Sequence, residues 1–308
     1  MTSLVASLLN VSKFYGKVMG LNDFTVDFGK GLTGLLGPNG AGKSTMLKLL
    51  TGQIKPSSGK LEVLGLDPWD NPDLNREIGY CPEQDAFYPG MTGHQFVTFN
   101  ARLMGLSHSE SSKMAWGVIK RVGLAKDAGR PVDGYSKGMR QRIKIAQALV
   151  GDPNMLILDE PLAGTDPIGR VQLMNLMHDL TDEGKDIIVS SHVLYEIERL
   201  TSNIVLVNKG RLVAEGNMHE IRDSMDKYPL SVRIMTDDRK QIAKSVLEIP
   251  SVSSISLGDD PKELLVRTSS PGNFFGGFQR MLIKNGLRIT SIDSPDDNLD
   301  AIFKYLVD

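Results

Sequence analysis

The sequence predicts an α/β fold in which a largely parallel sheet is covered by helices, followed by a smaller α+β domain. Three observations predict it. Short apolar strands alternate with helices from Ser136 to Val213. One of those strands, Met155 to Leu158, runs straight into the acid pair Asp159-Glu160. And Gly37-Pro38-Asn39-Gly40-Ala41-Gly42-Lys43-Ser44 stands between a strand-like and a helix-like segment.

From Ser7 to Gly65 the pattern is one of short strands and turns, then a helix. Leu8, Val11, Leu21, Phe24, Val26 and Phe28 read as strand residues, and Gly31 to Leu36 lead into the glycine-rich stretch. Ser44 to Leu50 reads as a helix stopped by Gly52, and Lys60 to Leu64 as a strand after a Pro-Ser-Ser-Gly turn. Residues 71–128 read as mainly helical, with helical spacing over Gln95 to Met104 and Ser111 to Val122. The later apolar strands are Met155 to Leu158, Asp186 to Ser190 and Asn203 to Asn208.

The tail reads differently. A strand opens at Pro229, then come a helix near Asp238 to Leu247, strands at Val252 to Leu257 and Glu263 to Arg267, a helix near Asn273 to Asn285 and a strand at Leu287 to Ile292. That β-α-β-β-α-β order predicts a split, ferredoxin-like domain. A last helix is expected over Asn298 to Val307. The boundary is placed near Met225 to Pro229, giving domains 1–225 and 226–308.

Bulk properties narrow the function classes. The chain has 308 residues with 41% apolar and 23% charged, ordinary for a globular protein. The formal net charge is -2, so charge gives no support to a nucleic-acid partner. Cys81 is the single cysteine, which rules out a disulfide within the chain and suits the reducing cytosol. No stretch of about 18 apolar residues predicts a membrane span, and the N-terminus lacks signal-peptide character.

The glycine-rich stretch fits G-x-x-x-x-G-K-[ST] in full, in the strand–loop–helix context the motif requires. Its glycines let backbone N–H groups crowd around phosphate oxygens, and the following helix N-terminus adds positive partial charge. Lys43 is expected to reach the β- and γ-phosphates and the Ser44 hydroxyl to ligate Mg2+; Thr45 is counted with the loop as nucleotide-binding. Asp159 and Glu160 end a strand expected to be buried on both faces, where acids need a reason. Asp159 is expected to hold Mg2+, and Glu160 to polarise the water that attacks the γ-phosphate.

These residues, in this order and spacing over roughly Leu4 to Asp223, resemble the ATP-binding cassette ATPases of ABC transporters. The resemblance implies a RecA-like P-loop core with an antiparallel β subdomain and a helical subdomain. Tyr15 matches the family aromatic that stacks on adenine. Tyr135-Ser136-Lys137-Gly138-Met139 matches the family signature, usually Leu-Ser-Gly-Gly-Gln, with Lys137 for the first glycine and Met139 for the glutamine. Ser136 and Gly138 would then bind the γ-phosphate held by a partner subunit. The Ser-Lys-Gly-Met form resembles the drug and lantibiotic exporter branch. His192 matches the switch histidine that contacts the γ-phosphate, and Asp166 the D-loop aspartate that links two sites. For the Q-loop glutamine, spacing from Pro89-Gly90-Met91-Thr92 points to Glu83, whose carboxylate could face Mg2+, and Gln84 is the alternative.

The resemblance implies ATP and Mg2+ as cofactors, a separate transmembrane permease, and a second nucleotide-binding subunit, expected to be another copy of this chain. It places the protein at the cytoplasmic face of a membrane, with export favoured over import. Residues 95–106 are a candidate permease contact. Soluble family members acting on ribosomes or DNA are the alternative; they usually carry two cassettes or a long coiled coil, whereas this chain has one phosphate loop and no heptad run.

Overall fold

A computed structural model describes residues 4–223, 229–258 and 260–295; the helix expected over Asn298 to Val307 lies outside the described residues. The strands are β1 (Leu4–Tyr15), β2 (Val18–Gly29), β3 (Leu32–Leu36), β4 (Ser58–Val63), β5 (Ile78–Cys81), β6 (Met155–Leu158), β7 (Asp186–Ser191), β8 (Asn203–Asn208), β9 (Arg211–Asn217), β10 (Leu230–Met235), β11 (Val252–Leu257), β12 (Glu263–Thr268) and β13 (Ser291–Asp293). The helices are α1 (Lys43–Leu50), α2 (Pro72–Glu77), α3 (Gly93–Leu103), α4 (His108–Arg121), α5 (Lys137–Ala148), α6 (Pro167–Asp182), α7 (Leu194–Glu198), α8 (Met218–Asp223), α9 (Arg239–Val246) and α10 (Pro271–Asn285). They fall into two compact units, Met1–Glu215 and Gly216–Asp308.

The first unit has two sheets. One is six-stranded, in the order β5-β6-β7-β3-β8-β9. Its central strands pair in parallel, and every residue of β3 and β6 is buried. Strands covered on both faces are selected as unbroken apolar runs, which is why Met155–Leu158 was legible. The other sheet is antiparallel, in the order β2-β1-β4. Here the short strands expected near the N-terminus are two 12-residue strands; β2 alternates buried and exposed side chains over Phe24 to Phe28, while β1 is bulged, with register shifts against β2. Apolar residues of both sheets and of α1 form one core around Phe24, Phe28, Met46 and Leu47.

The region 71–128, expected to be mainly helical, is interrupted by β5, which pairs in parallel with β6. Gly79 explains both the strand and its obscurity: a Cβ there would lie 2.0 Å from the Ala148 carbonyl oxygen at the end of α5. Helices α3, α4 and α5 pack on one another. Reciprocal capping boxes, Thr92 with Gln95 and Ser107 with Glu110, start the first two.

The second unit holds an antiparallel sheet in the order β11-β12-β10-β13 with α9 and α10 between strands. Its core gathers Val232, Ile234, Leu264, Val266, Phe274 and Phe278. The expected strand over Leu287 to Ile292 is shorter, Ser291–Asp293. Gly286 ends α10 in the left-handed conformation and Leu287 N–H donates back to Leu282 O at 3.1 Å, so the chain wraps the helix end. Leu287 and Ile289 pack on the core from that wrap, which imitates strand alternation.

Candidate functional site

The phosphate loop joins β3 to α1. Gly42 sits just before α1 at φ 111°, and a Cβ there would come within 2.6 Å of Gly20 O, so glycine alone suits the position. Lys43 is 6% exposed; its ammonium donates to Gly37 O at 2.7 Å and lies 3.5 Å from Glu160 Oε1.

Asp159 and Glu160 follow β6 and are both buried. The Asp159 N–H bonds Cys81 O at 2.8 Å, extending the parallel ladder by one residue. The chain then turns: Glu160 is left-handed at φ 49°, a conformation that disfavours any residue with a Cβ. Partners hold it there. Its N–H donates to Ser190 Oγ at 2.9 Å, and its carbonyl accepts from Gln141 Nε2 at 3.3 Å. Ser190 in turn donates to Asp159 Oδ1 at 2.6 Å, so one hydroxyl fixes both acids. His192 Nδ1 lies 2.9 Å from Glu160 Oε2. The Glu160 carboxylate is thus placed between an ammonium and an imidazole. Burial pushes its carboxyl above the ordinary value, against the pull of Lys43 and of the hydrogen bond from His192.

Tyr15, residues 38–45, Glu83 and Glu160 line one cavity of about 460 Å³. Val18, Met19 and Gly20, at the start of β2, line it as well. Sequence reasoning missed them; the available signal was two apolar residues, exposed by 68% and 43%, close after Tyr15. Ser190 was missed too, its only signal being its place at the end of an apolar strand. Lys13 brings its ammonium 5.5 Å from the Tyr15 ring centroid, and Tyr15 itself is 45% exposed.

The remaining expected residues do not line this cavity. Gln84 lines a neighbouring one of about 380 Å³, with Glu83, Lys137 and Gly164. Ser136 caps α5, accepting from Met139 N–H at 3.3 Å, and Gly138 lies in that helix's first turn. Asp166 caps α6, accepting from Gly169 N–H at 2.8 Å; that hydrogen bond holds its carboxyl below the usual value. Asp159 and His192 reach the site through Ser190 and Glu160.

The donor set suits Mg2+, which takes one or two carboxylates and fills its shell with water and phosphate. Ser44, Asp159 and Glu83 are oxygen donors of that kind. Among the described residues no cluster of three or more His, Cys, Asp or Glu forms a dedicated metal cage.

A phosphate loop between a parallel strand and a helix, facing a strand-end glutamate, defines a P-loop nucleotide-binding α/β protein. The chain belongs to the ATP-binding, ATP-hydrolysing subunits of ABC transporters. The family described as ABC transporter matches residues 21–163. The bacitracin transport ATP-binding protein of Bacillus licheniformis is 30% identical over 308 residues, covering 99% of this chain and 98% of the relative. A solved ATP-binding subunit of an ABC transporter has a TM-score of 0.64 at 29% identity, covering 71% of this chain and 92% of that one. A dimeric bacterial ABC transporter cassette has a TM-score of 0.64 at 25% identity, covering 69% and 98%. The first unit is therefore a RecA-like core with antiparallel β and helical subdomains. Among the described residues no helix is long and apolar enough to cross a membrane.

Proposed function

We propose that this chain powers export through a separate membrane permease, working as a pair of copies at the membrane's cytoplasmic face. The observation that carries the ATPase part is the Glu160 carboxylate, buried on the wall of the cavity that the phosphate loop lines and 3.5 Å from Lys43. Lys43 and the loop amides hold the β- and γ-phosphates, and Glu160 takes a proton from the attacking water. His192 orients Glu160 through its ring nitrogen. Ser44, Asp159 and Glu83 would hold Mg2+, which would neutralise phosphate charge. Of the two Q-loop candidates, Glu83 is preferred because it lines the loop's own cavity and Gln84 does not.

Ser136, Gly138 and Asp166 lie outside that cavity, at the starts of α5 and α6. Ser136 and Gly138 at the start of α5 suit the phosphate of a second copy, and Asp166 at the start of α6 would link the two sites. The dimeric form of the related cassette supports that arrangement. Export is supported by the bacitracin transport relative, whose similarity runs through the whole chain. Residues 1–225 are assigned as the cassette and 226–308 as a ferredoxin-like accessory domain.

Tyr15 is assigned to adenine. Replacing it with alanine should weaken ATP binding about tenfold, within the ~1–3 kcal/mol of one base–aromatic stack, and leave kcat at saturating ATP unchanged. A titration with a fluorescent ATP analogue checks this; unchanged affinity removes Tyr15 from the role.

The transporter reading is tested by purifying the tagged chain from gently solubilised native membranes and identifying its companions by mass spectrometry. A stoichiometric polytopic partner is expected. Ribosomal or DNA-bound companions would overturn the permease assignment without touching the nucleotide chemistry.

A further inference from the structure

The sequence Ile143-Lys144-Ile145-Ala146 puts an ammonium in the middle of an apolar stretch of α5, and the structure buries it to 2% exposure. A buried charge is stable there only if it is well partnered. Lys144 has two partners on the loop after β5: it donates to the backbone oxygen of Glu83 at 2.7 Å and pairs with Asp85 Oδ1 at 3.1 Å. Arg140, four residues earlier and so on the same side of the helix, brings Nε 2.9 Å from Asp85 Oδ2. Gln141, 6% exposed, reaches the other wall of the site and donates to the carbonyls of Glu160 and Ala163, both at 3.3 Å. A single helix therefore grips the backbone at both carboxylates that face the nucleotide cavity.

We propose that Lys144 is a positioning residue for ATP hydrolysis: paired with Asp85, it locks the loop bearing Glu83 to the helix whose Gln141 holds the chain at Glu160. The helix fixes the separation of the two carboxylates. Its own N-terminus carries Ser136 and Gly138, so a movement of α5 reaches both acids through their backbones. No side chain of the lock needs to touch ATP. The role of Glu83 and Glu160 in hydrolysis rests on the function proposed above; the lock itself does not.

Two variants test it. Lys144→Met keeps an unbranched apolar side chain, one atom shorter, and removes the charge. Asp85→Ala breaks the same pair from its 42%-exposed side and leaves Lys144 the Glu83 carbonyl as its partner. Each should lower kcat about tenfold with KM for ATP changed less than about twofold, a loss of positioning and not of binding. Backbone amides of residues 83–86 should exchange about tenfold faster without nucleotide, a larger change than at the amides of β6 and β7. The double variant should lose less than the sum of the two single losses, because both remove the Lys144–Asp85 pair. Wild-type kcat in Asp85→Ala, unchanged exchange at 83–86, or additive losses in the double variant would each overturn the proposal. Failure of the hydrolysis assignment is distinguishable: Glu160→Gln would then keep normal turnover, while the amide exchange of 83–86 would still report on the lock.

Discussion

Glu160→Gln is expected to bind ATP normally and hydrolyse it at least about a hundredfold more slowly. Glutamine preserves the shape of the side chain and its reach to His192 but cannot accept a proton from water. The bound nucleotide should then persist, and with it a closed pair of subunits, seen as an ATP-dependent doubling of mass in light scattering. Single-turnover phosphate release measures the rate directly, and near-normal turnover would remove Glu160 from the role. The same carboxylate sets a pH dependence. Burial raises its pKa above the ordinary 4.5, and a general base works only when ionised. Turnover should therefore be lost as pH falls through a midpoint above 4.5, and that acid limb should vanish in the glutamine variant. The stability sign runs the opposite way: a carboxyl with a raised folded pKa binds its proton more tightly when folded, so ionisation costs stability above that pKa. At neutral pH the glutamine variant should melt no lower than wild type.

Lys43→Ala should lower ATP affinity by about a hundredfold or more, since charge-assisted bonds to two phosphates are lost at ~1.5–3 kcal/mol each. The structure adds a second effect. Lys43 is the opposite charge 3.5 Å from Glu160, and its removal leaves a buried carboxylate with only His192 beside it. The pKa of Glu160 should climb further, moving the acid limb of any residual turnover to higher pH. Equilibrium binding of ATP measured by calorimetry checks the main claim; an unchanged affinity would sink the assignment of the loop.

The parts of the site that were legible in the sequence are those where local chemistry leaves little choice. A loop that must present successive amides to phosphate needs its glycines at fixed places, and a doubly covered strand must be apolar to its last residue, so Gly37–Ser44 and Met155–Glu160 stood out. Ser136 is legible as the start of a helix because a cap is a local device, and Asp166 does the same for α6. What was not legible depends on distant partners. Ser190 matters because it reaches both Asp159 and Glu160, some 30 residues earlier. β5 is only four residues long, and its strand character comes from pairing with β6. Lys144 looks like a surface lysine on a helix until Glu83 and Asp85 are seen against it. The wrap after Gly286 put apolar residues at strand spacing without making a strand, so periodicity misled where turn geometry decided.

Cys81 lies at the end of β5 with no exposed surface, and burial pushes its thiol up to about 12. The nucleophile in alkylation and disulfide exchange is the thiolate, so the only sulfhydryl of the chain is shielded from reagents twice, by access and by protonation. The wild-type protein is accordingly a silent background for site-directed fluorophores or spin labels: a cysteine introduced at the surface would be the one that reacts. Modification of Cys81 itself would require the edge of the main sheet to open, which makes its slow labelling a clock for that opening.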